Sequence, residues 1–217
     1  MGLGGRCLHA GTAVGGVLVL GEPLSLWGGA DAATGVITDE RHPQCGERLG
    51  GRVVVMPGSR GSSSSASVLA EMLRAGVGPA ALVVLRADPI LVIGTMVAEE
   101  LYGRGIPIVE VAAADLAVLS GWERATITAS DGYCDLAEES ELEHRFFTEE
   151  LDEGVRRLLL GEFERRRVGR AQFTFNVVDV LMDFDAQTVT LAGILVSEGE
   201  VVLPLAGFRE RLVMEVG

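Results

Sequence analysis

Four consecutive serines, Ser62–Ser65, directly follow Arg60 and Gly61 and precede a predicted helix. The surrounding segment reads GRVVVMPGSRGSSSSASVL over residues 51–69. A loop that leads into a helix presents unpaired backbone N–H groups and a partial positive charge at the helix N-terminus. Gly58 and Gly61 allow a ligand to approach the backbone closely, and Arg60 adds a fixed cation with several donors. These residues predict a binding site for a small anionic molecule, with hydroxyls of which one could accept a proton.

A serine hydroxyl is a poor base unless its anion is stabilised. A helix N-terminus, neighbouring N–H groups and an arginine are surroundings that stabilise such an anion. The other interpretation of Ser62–Ser65 is a capped loop, because serine is a favoured N-cap residue. One of Ser63–Ser65 is expected to be simply the cap.

Composition limits the classes of partner. The chain has 217 residues, 48% of them apolar, and a net charge of −13 at pH 7. Such an acidic balance argues against nucleic acid, since phosphate contacts need clustered cations. All 18 basic residues are arginine, so Schiff-base chemistry on lysine is excluded. The apolar stretches Ala80–Leu85 and Ile90–Val97 are too short to cross a membrane, and the N-terminus has no signal-peptide pattern, so a cytoplasmic protein is expected.

The three cysteines, Cys7, Cys45 and Cys134, are far apart in the sequence and form no CxxC pair. They are expected to be reduced and mostly buried thiols. We therefore expect no metal ion and no iron–sulfur cluster to be held by this chain alone.

Residues 1–136 predict an α/β domain of mixed sheet, because strands alternate with helices and strands lie at both ends. The predicted strands are Thr12–Leu20, Arg52–Met56, Ala81–Arg86, Ile106–Val111 and Ala125–Ala129, and the predicted helices are Ser65–Ala75, Pro89–Tyr102 and Ala112–Leu119. The sequence also predicts an extended piece at Pro23–Trp27, a tight loop at Gly28–Gly35 and a turn at Asp131-Gly132. Pro107 suggests an edge position or a strand start.

Residues 137–217 differ in composition and predict an α+β extension of unknown role. An acidic stretch is followed by arginines, and apolar residues recur every three or four positions from Phe146 to Phe163, which predicts one long amphipathic helix. Its charges form either a partner-binding face or a solvated face with intrahelical pairs. A β-meander is predicted after it, with strands Ala171–Met182, Thr188–Val196 and Glu200–Leu203 and turns at Asp183–Gln187 and Ser197–Gly199.

Several short motifs occur in order through residues 1–136. They are Ser25-Leu26-Trp27-Gly28-Gly29, Asp31 with Thr34-Gly35, Asp39 with His42-Pro43 and Gly46, Gly51-Arg52-Val53 to Pro57, Arg60-Gly61-Ser62-Ser63, Gly78-Pro79-Ala80-Ala81, Asp88-Pro89-Ile90, Ile106-Pro107 with Val109, and the region Leu119–Cys134. This series resembles the swivel domain, or small subunit, of the aconitase X family of dehydratases. Residues 137–217 match nothing in that subunit.

The resemblance implies an aconitase-like swivelling β/β/α domain that closes over a large catalytic subunit, which carries an iron–sulfur cluster and most substrate ligands. It implies a serine alkoxide that removes a proton next to a carboxylate or an equivalent group, and Ser62 has that position after Arg60-Gly61. Arg60 and the N–H groups of Gly61, Ser62, Ser63 and Ser64 would hold the substrate anion. The implied function is the small subunit of a hydro-lyase acting on a hydroxy acid such as cis-3-hydroxy-L-proline or 5-phosphomevalonate.

Two further residues have open roles. Asp31 either bonds its own backbone, orients substrate or holds Arg60. His42 is either a neutral structural histidine or a general acid. Two other functions also stay open. One is a non-catalytic anion-binding or scaffold module that retains the swivel fold and uses 137–217 as its interaction surface. The other is a stand-alone enzyme whose site is completed by that extension.

Overall fold

The chain forms two compact units, Met1–Glu138 and Glu139–Gly217, in a computed structural model that describes residues 2–131, 133–194 and 199–214. Each unit has a hydrophobic core of its own. The division predicted from composition lies at 136/137.

One mixed sheet of eight strands forms the first unit, with strand order β1-β8-β7-β3-β4-β5-β6-β2. The strands are β1 (Leu3–Gly4), β2 (Arg6–His9), β3 (Gly11–Val19), β4 (Val53–Met56), β5 (Ala81–Val84), β6 (Ile108–Glu110), β7 (Arg124–Ser130) and β8 (Tyr133–Glu138). β3, β4, β5 and β6 run parallel to one another, and the other pairs are antiparallel. The loops that follow the four parallel strands therefore lie at the same edge of the sheet.

Helices of the first unit are α1 (Leu26–Gly29), α2 (Ser65–Arg74), α3 (Pro89–Tyr102) and α4 (Leu116–Leu119), with a 3₁₀ turn at Ala113–Asp115 before α4. α1 is a single tight turn whose middle residues, Trp27 and Gly28, have non-helical angles. α3 begins where the Asp88 carboxylate accepts the N–H of Ile90 at 2.9 Å, and it ends at Gly103, whose φ is 66°. α2 and α3 pack backbone to backbone at Gly94, where an added Cβ would lie 2.8 Å from the Ala66 carbonyl oxygen.

The predicted mixed α/β fold is confirmed, and the strands and helices of its middle part lie close to their predicted places. Pro107 directly precedes β6, as a strand-start proline does. The alternative edge position is wrong, because β6 lies between β5 and β2. No sequence signal marks the short strands β1 and β2. The predicted turn at Asp131-Gly132 lies partly outside the described residues.

An antiparallel sheet of four strands, in the order β12-β11-β10-β9, forms the second unit with its helices. The strands are β9 (Arg170–Thr174), β10 (Val178–Asp183), β11 (Thr188–Gly193) and β12 (Glu200–Pro204), and the helices are α5 (Glu141–Arg145), a π-helical turn (Phe146–Glu150), α6 (Glu153–Arg165) and α7 (Leu205–Val213). Phe146 and Phe208 are the largest fully buried side chains of its core, and their rings stack at 5.8 Å between centroids.

The prediction of one long helix from Phe146 to Phe163 is wrong. The helix is interrupted after the π-helical turn, and α6 starts again where the Asp152 carboxylate accepts the N–H of Val155 at 2.8 Å. Leu151 and Val155 on either side of the break both pack against the core. Apolar periodicity therefore continues across the interruption, so the sequence pattern detects the buried face but not the break.

The predicted strand Ala171–Met182 is also wrong, because it is two strands of a hairpin. The chain reverses after β9, where the N–H of Phe175 donates to the carbonyl of Val178 at 3.0 Å. The helix α7 was not predicted. The end of the predicted strand Thr188–Val196 and part of the turn Ser197–Gly199 lie outside the described residues.

A buried ion cluster joins the two ends of the second unit. The Arg211 guanidinium pairs with Glu139 at 2.5 Å and with Glu143 at 2.9 Å, and all three side chains are at most 6% exposed. The Arg211 guanidinium carbon also lies 3.6 Å from the centre of the Phe147 ring. Glu143 and Ser140 form a reciprocal cap at the start of α5, so the cluster links α7 to the first residues of the unit.

Candidate active site

The serine run lies in the loop between β4 and α2, at the edge of the sheet where the parallel strands end. A second segment runs beside this loop. Leu24 forms a β-bridge with Ser59, and the Leu24 carbonyl accepts the N–H of Arg60 at 3.3 Å. Gly61 has a φ of 101°, and an added Cβ there would lie 2.7 Å from the Ser25 hydroxyl oxygen. Both the backbone angle and the close neighbour therefore require glycine at position 61.

Ser62 is exposed, and its hydroxyl oxygen accepts the backbone N–H of Ser64 at 3.1 Å. A hydrogen bond donated to this oxygen stabilises the anion more than the neutral hydroxyl. The backbone N–H groups of Gly61, Ser62 and Ser63 have no acceptor among the described residues. Three N–H groups without an acceptor thus lie in the same loop as an exposed hydroxyl, directly before α2, and such groups suit the binding of an anion.

The other serines of the run differ in their environments. Ser63 is exposed, and its carbonyl accepts the N–H of Ala66 at 3.2 Å. Ser64 occupies the N-cap of α2, but its side chain makes no capping bond. Ser65 is fully buried, and its hydroxyl oxygen accepts the N–H of Trp27 at 3.2 Å. Its hydroxyl is used inside the fold, so the exposed hydroxyls of the loop are those of Ser62 and Ser63.

Arg60 pairs with Asp39, at 2.9 Å between the Arg60 Nη2 and the Asp39 Oδ2. The other carboxylate oxygen of Asp39 accepts the N–H of Arg41 at 3.0 Å. This N–H bond and the Arg60 guanidinium hold the pKa of Asp39 below its ordinary value. No role for Asp39 is predicted from the sequence, although it lies in one of the family motifs. The Arg60–Asp39 pair joins two residues that are distant along the chain, so no local pattern indicates it.

His42 is buried, with both ring nitrogens engaged inside the first unit. Its Nδ1 accepts the N–H of Gln44 at 3.1 Å, which leaves the hydrogen on Nε2, 3.2 Å from the Glu22 carbonyl oxygen. The backbone N–H of His42 donates to the Asp39 carbonyl at 2.9 Å. This geometry matches the structural interpretation of His42, which supports the turn that carries Asp39.

Asp31 is committed to its own turn. One carboxylate oxygen accepts the N–H of Ala33, the N–H of Thr34 and the Thr34 hydroxyl, all within 2.9 Å. The Thr34 hydroxyl and these N–H groups lower the pKa of Asp31. Arg60 is held by Asp39, so of the three open roles for Asp31 the geometry matches the bond to its own backbone.

The three cysteines do not form a metal site in the part of the chain that the structure describes. No group of three or more His, Cys, Asp or Glu side chains there could hold a metal ion. Cys45 is exposed, whereas Cys7 and Cys134 are partly buried. Burial, with smaller effects from Cys7 and Asp135, raises the pKa of Cys134 to about 11. These residues do not fit an iron–sulfur cluster. Among the described residues, no helix has the length and apolar content needed to span a bilayer.

Comparison with known proteins defines the class to which the fold and the loop belong. The family described as the aconitase X swivel domain matches residues 3–136, which is more than half of the chain. The chain therefore belongs to that family, and the resemblance in its motifs is confirmed. Residues after 136 lie outside the match.

Individual relatives agree with this assignment. The chain is 45% identical over 103 residues to cis-3-hydroxy-L-proline dehydratase of Pseudomonas aeruginosa, covering 48% of this chain and 18% of that protein. It is 48% identical over 83 residues to the phosphomevalonate dehydratase small subunit of Methanopyrus kandleri, covering 38% of this chain and 62% of the subunit. The matched parts thus span less than two thirds of these relatives. The crystal structure of Thermococcus kodakaraensis aconitase X in its holo-form superposes with a TM-score of 0.54 at 27% identity, covering 64% of this chain and 99% of that chain.

Proposed function

We propose that this chain is the swivel subunit of an aconitase X-type hydro-lyase, which removes water from a small hydroxy acid together with a large catalytic subunit. The observation that carries the proposal is the Ser62 hydroxyl, which is exposed and accepts the N–H of Ser64 at the start of α2. Family membership and the dehydratase names of the relatives support the reaction class.

In the proposed reaction, the Ser62 alkoxide takes a proton from the carbon next to a carboxylate or an equivalent group of the substrate. The electron pair of that C–H bond forms the new C=C bond. The bond between the neighbouring carbon and its hydroxyl oxygen breaks, and the hydroxyl leaves as hydroxide, which a further proton converts into water. Ser62 is then neutral and loses its proton before the next turnover. The N–H of Ser64 and the start of α2 lower the free energy of the alkoxide.

Arg60 and the N–H groups of Gly61, Ser62 and Ser63 would hold the anionic group of the substrate. The N–H of Ser64 was expected to share this role, but it already donates to Ser62. Asp39 orients Arg60 and leaves the Arg60 side chain 46% exposed, so further donors stay available. The names of the relatives suggest cis-3-hydroxy-L-proline and 5-phosphomevalonate as candidate substrates.

The proposed large subunit would supply the rest of the site. The "small subunit" names among the relatives support such a partner. The iron–sulfur cluster expected for this enzyme class would reside in that subunit, because the described cysteines of this chain do not fit one.

Replacing the proposed base in the reconstituted complex tests the function. Ser62→Ala should lower kcat by about 10²- to 10⁴-fold, the usual contribution of a positioned general base. Ser63→Ala is the matched control, because it removes an exposed neighbouring hydroxyl and leaves Ser62 in place. A Ser62→Ala complex that assembles and retains a near-normal rate would contradict the assignment of the base.

The second unit favours one other function, that of a non-catalytic scaffold. Glu139–Gly217 has its own core and lies outside the family match, as an added interaction module would. Co-purification distinguishes the two functions. A brown complex with a large partner chain supports the dehydratase, and a colourless homo-oligomer supports the scaffold.

A further inference from the structure

Trp27 lies at the tip of a tight turn with its side chain in solvent. The dihedral angles of Trp27 (φ −70°, ψ 111°) and Gly28 (φ 77°, ψ −6°) are those of a type II turn, which requires glycine at its third position. The flanking residues Leu26 and Gly29 are buried, whereas Trp27 is 60% exposed. The turn is therefore anchored on both sides of its most apolar residue.

The same turn is fixed to the serine loop. The N–H of Trp27 donates to the buried Ser65 hydroxyl at 3.2 Å, and its carbonyl accepts the Ser25 hydroxyl at 2.9 Å. Ser25 in turn lies against Gly61, so close that no side chain fits at position 61. Trp27 thus has a rigid backbone beside the loop that carries Ser62.

We propose that Trp27 is a docking anchor for the large subunit, and that its indole becomes buried in that partner when the complex forms. This inference rests on the proposed function, because it names the surface by which the proposed half-site meets its partner. The Ser62 hydroxyl can reach a substrate held by another chain only if the face beside it lies against that chain.

Physical chemistry favours Trp27 as the residue that anchors the large subunit. A tryptophan on a fixed backbone loses little conformational entropy on binding and removes a large apolar surface from water, which is why tryptophan is enriched among residues that dominate interface energies. Neither neighbour in the turn offers comparable surface, since Leu26 is already buried and position 28 is glycine.

Fluorescence can follow this burial directly. The chain has two tryptophans, so Trp122→Phe leaves Trp27 as its only tryptophan without altering the proposed anchor. Titration with the purified large subunit of the aconitase X type, in the absence of substrate and with the emission of that subunit alone subtracted, should shift the Trp27 emission to the blue and give the Kd of the complex.

Substitutions complete the test. Trp27→Ala should raise this Kd at least about 10-fold, and Trp27→Phe should raise it less. Leu101→Ala on α3 is the control, because Leu101 is similarly exposed at 63%. The Kd of the complex formed by this variant should stay within about twofold of that of the parent protein.

An unshifted emission, or an unchanged Kd for Trp27→Ala, would contradict the proposal that Trp27 is an anchor. An unchanged Kd for Trp27→Ala together with a raised KM would mean that Trp27 contacts the substrate and not the large subunit. A complex that forms with Trp27 buried but dehydrates neither candidate substrate would contradict the proposed function and leave the anchor intact.

Discussion

The two units of the chain treat polar side chains in opposite ways. Among the described residues, the buried polar side chains of the first unit are His42, Ser65 and Thr95. Their hydrogen bonds are made mainly with the backbone, and they hold loops or helices in place. Among the described residues of the second unit, the buried polar side chains all carry ionisable groups: Glu139, Glu143, Glu150, Glu162, Asp183 and Arg211.

Aromatic residues divide along the same line. The two tryptophans and two tyrosines all lie in the first unit, and the seven phenylalanines all lie in the second. The first unit exposes Trp27, Tyr102 and Ser62, whereas the second packs a phenylalanine core and pairs Arg211 with Glu139 and Glu143. Of these exposed groups, the proposals above assign Ser62 to a substrate and Trp27 to a partner, whereas the buried Arg211, Glu139 and Glu143 of the second unit are paired within it.

Arg211→Met gives the largest expected effect, because it removes the buried cation that pairs with Glu139 and Glu143 and leaves both carboxylates in the core. Breaking a buried ion cluster in this way should lower the free energy of unfolding of the second unit by about 3–5 kcal/mol. Far-UV circular dichroism during urea unfolding measures this loss. Tryptophan fluorescence, which reports only the first unit, should keep its transition midpoint.

Arg157→Met is the control for that prediction, because the Arg157–Glu153 pair is exposed. It should change the free energy of unfolding by less than about 0.5 kcal/mol. If the fluorescence midpoint of Arg211→Met moves together with the circular dichroism, the two units do not unfold independently and the contrast between them fails.

Thiol labelling tests whether Cys134 on β8, the last strand of the first unit, is protected from solvent. Because burial raises the pKa of Cys134 to about 11, few of these thiols are ionised at pH 8. In a protein with Cys7 and Cys45 replaced by alanine, burial remains the main cause of the raised pKa, so Cys134 should react with an aromatic disulfide at least about 10-fold more slowly than a thiol with the ordinary pKa near 9.0. Unfolding in urea should remove the protection. Rapid labelling of the folded protein would show that the Cys134 thiol on β8 is accessible to solvent.

Asp39→Asn tests whether the first unit positions its cation through a surface pair. The substitution keeps a side-chain oxygen for the N–H of Arg41 but removes the charge that orients Arg60. We expect kcat/KM of the complex to fall about 10-fold, mainly through KM, because the proposed function has Arg60 contact the substrate anion. Glu71→Gln, which breaks the exposed Glu71–Arg74 pair on α2, is the control and should leave the rate unchanged. An increase in kcat/KM would mean that Asp39 competes with substrate.

The pH dependence of this pair has a defined sign. The pKa of Asp39 is lowered from 3.8, so the contribution of the pair is present above that value and is lost only as the pH falls through the lower pKa of the folded state. The pH profile of kcat/KM should therefore show no acidic limb from Asp39 above about pH 4.

The parts of the fold that were predictable are those with strong local signals. The valines of β4, the glycines of the loop and the serines before α2 define three successive elements. α3 has Asp88 and Pro89 at its start and Gly103 at its end, and it was predicted with its observed bounds. These features act between residues close in sequence, so the sequence pattern contains them.

The parts that were missed depend on residues far apart or on weak turn signals. The Arg60–Asp39 pair joins two loops, and no spacing within either loop indicates it. The reversal between β9 and β10 passes through Phe175, Asn176 and Val177, without the glycine or proline that usually marks a hairpin. The position of Ser62 directly after Arg60-Gly61 distinguishes it from the other serines of the run, and its role as a base stays a prediction.

The contact at Gly94 connects the interior of the first unit to its reactive loop. The Gly94 backbone lies against Ala66, in the first turn of the helix that begins just after Ser64. Even a methyl group at position 94 would press on that turn, which directly follows the Ser64 N–H that donates to the Ser62 hydroxyl. A residue on a different helix, with no group of its own to offer a substrate, thus lies one contact away from the turn that holds the proposed base.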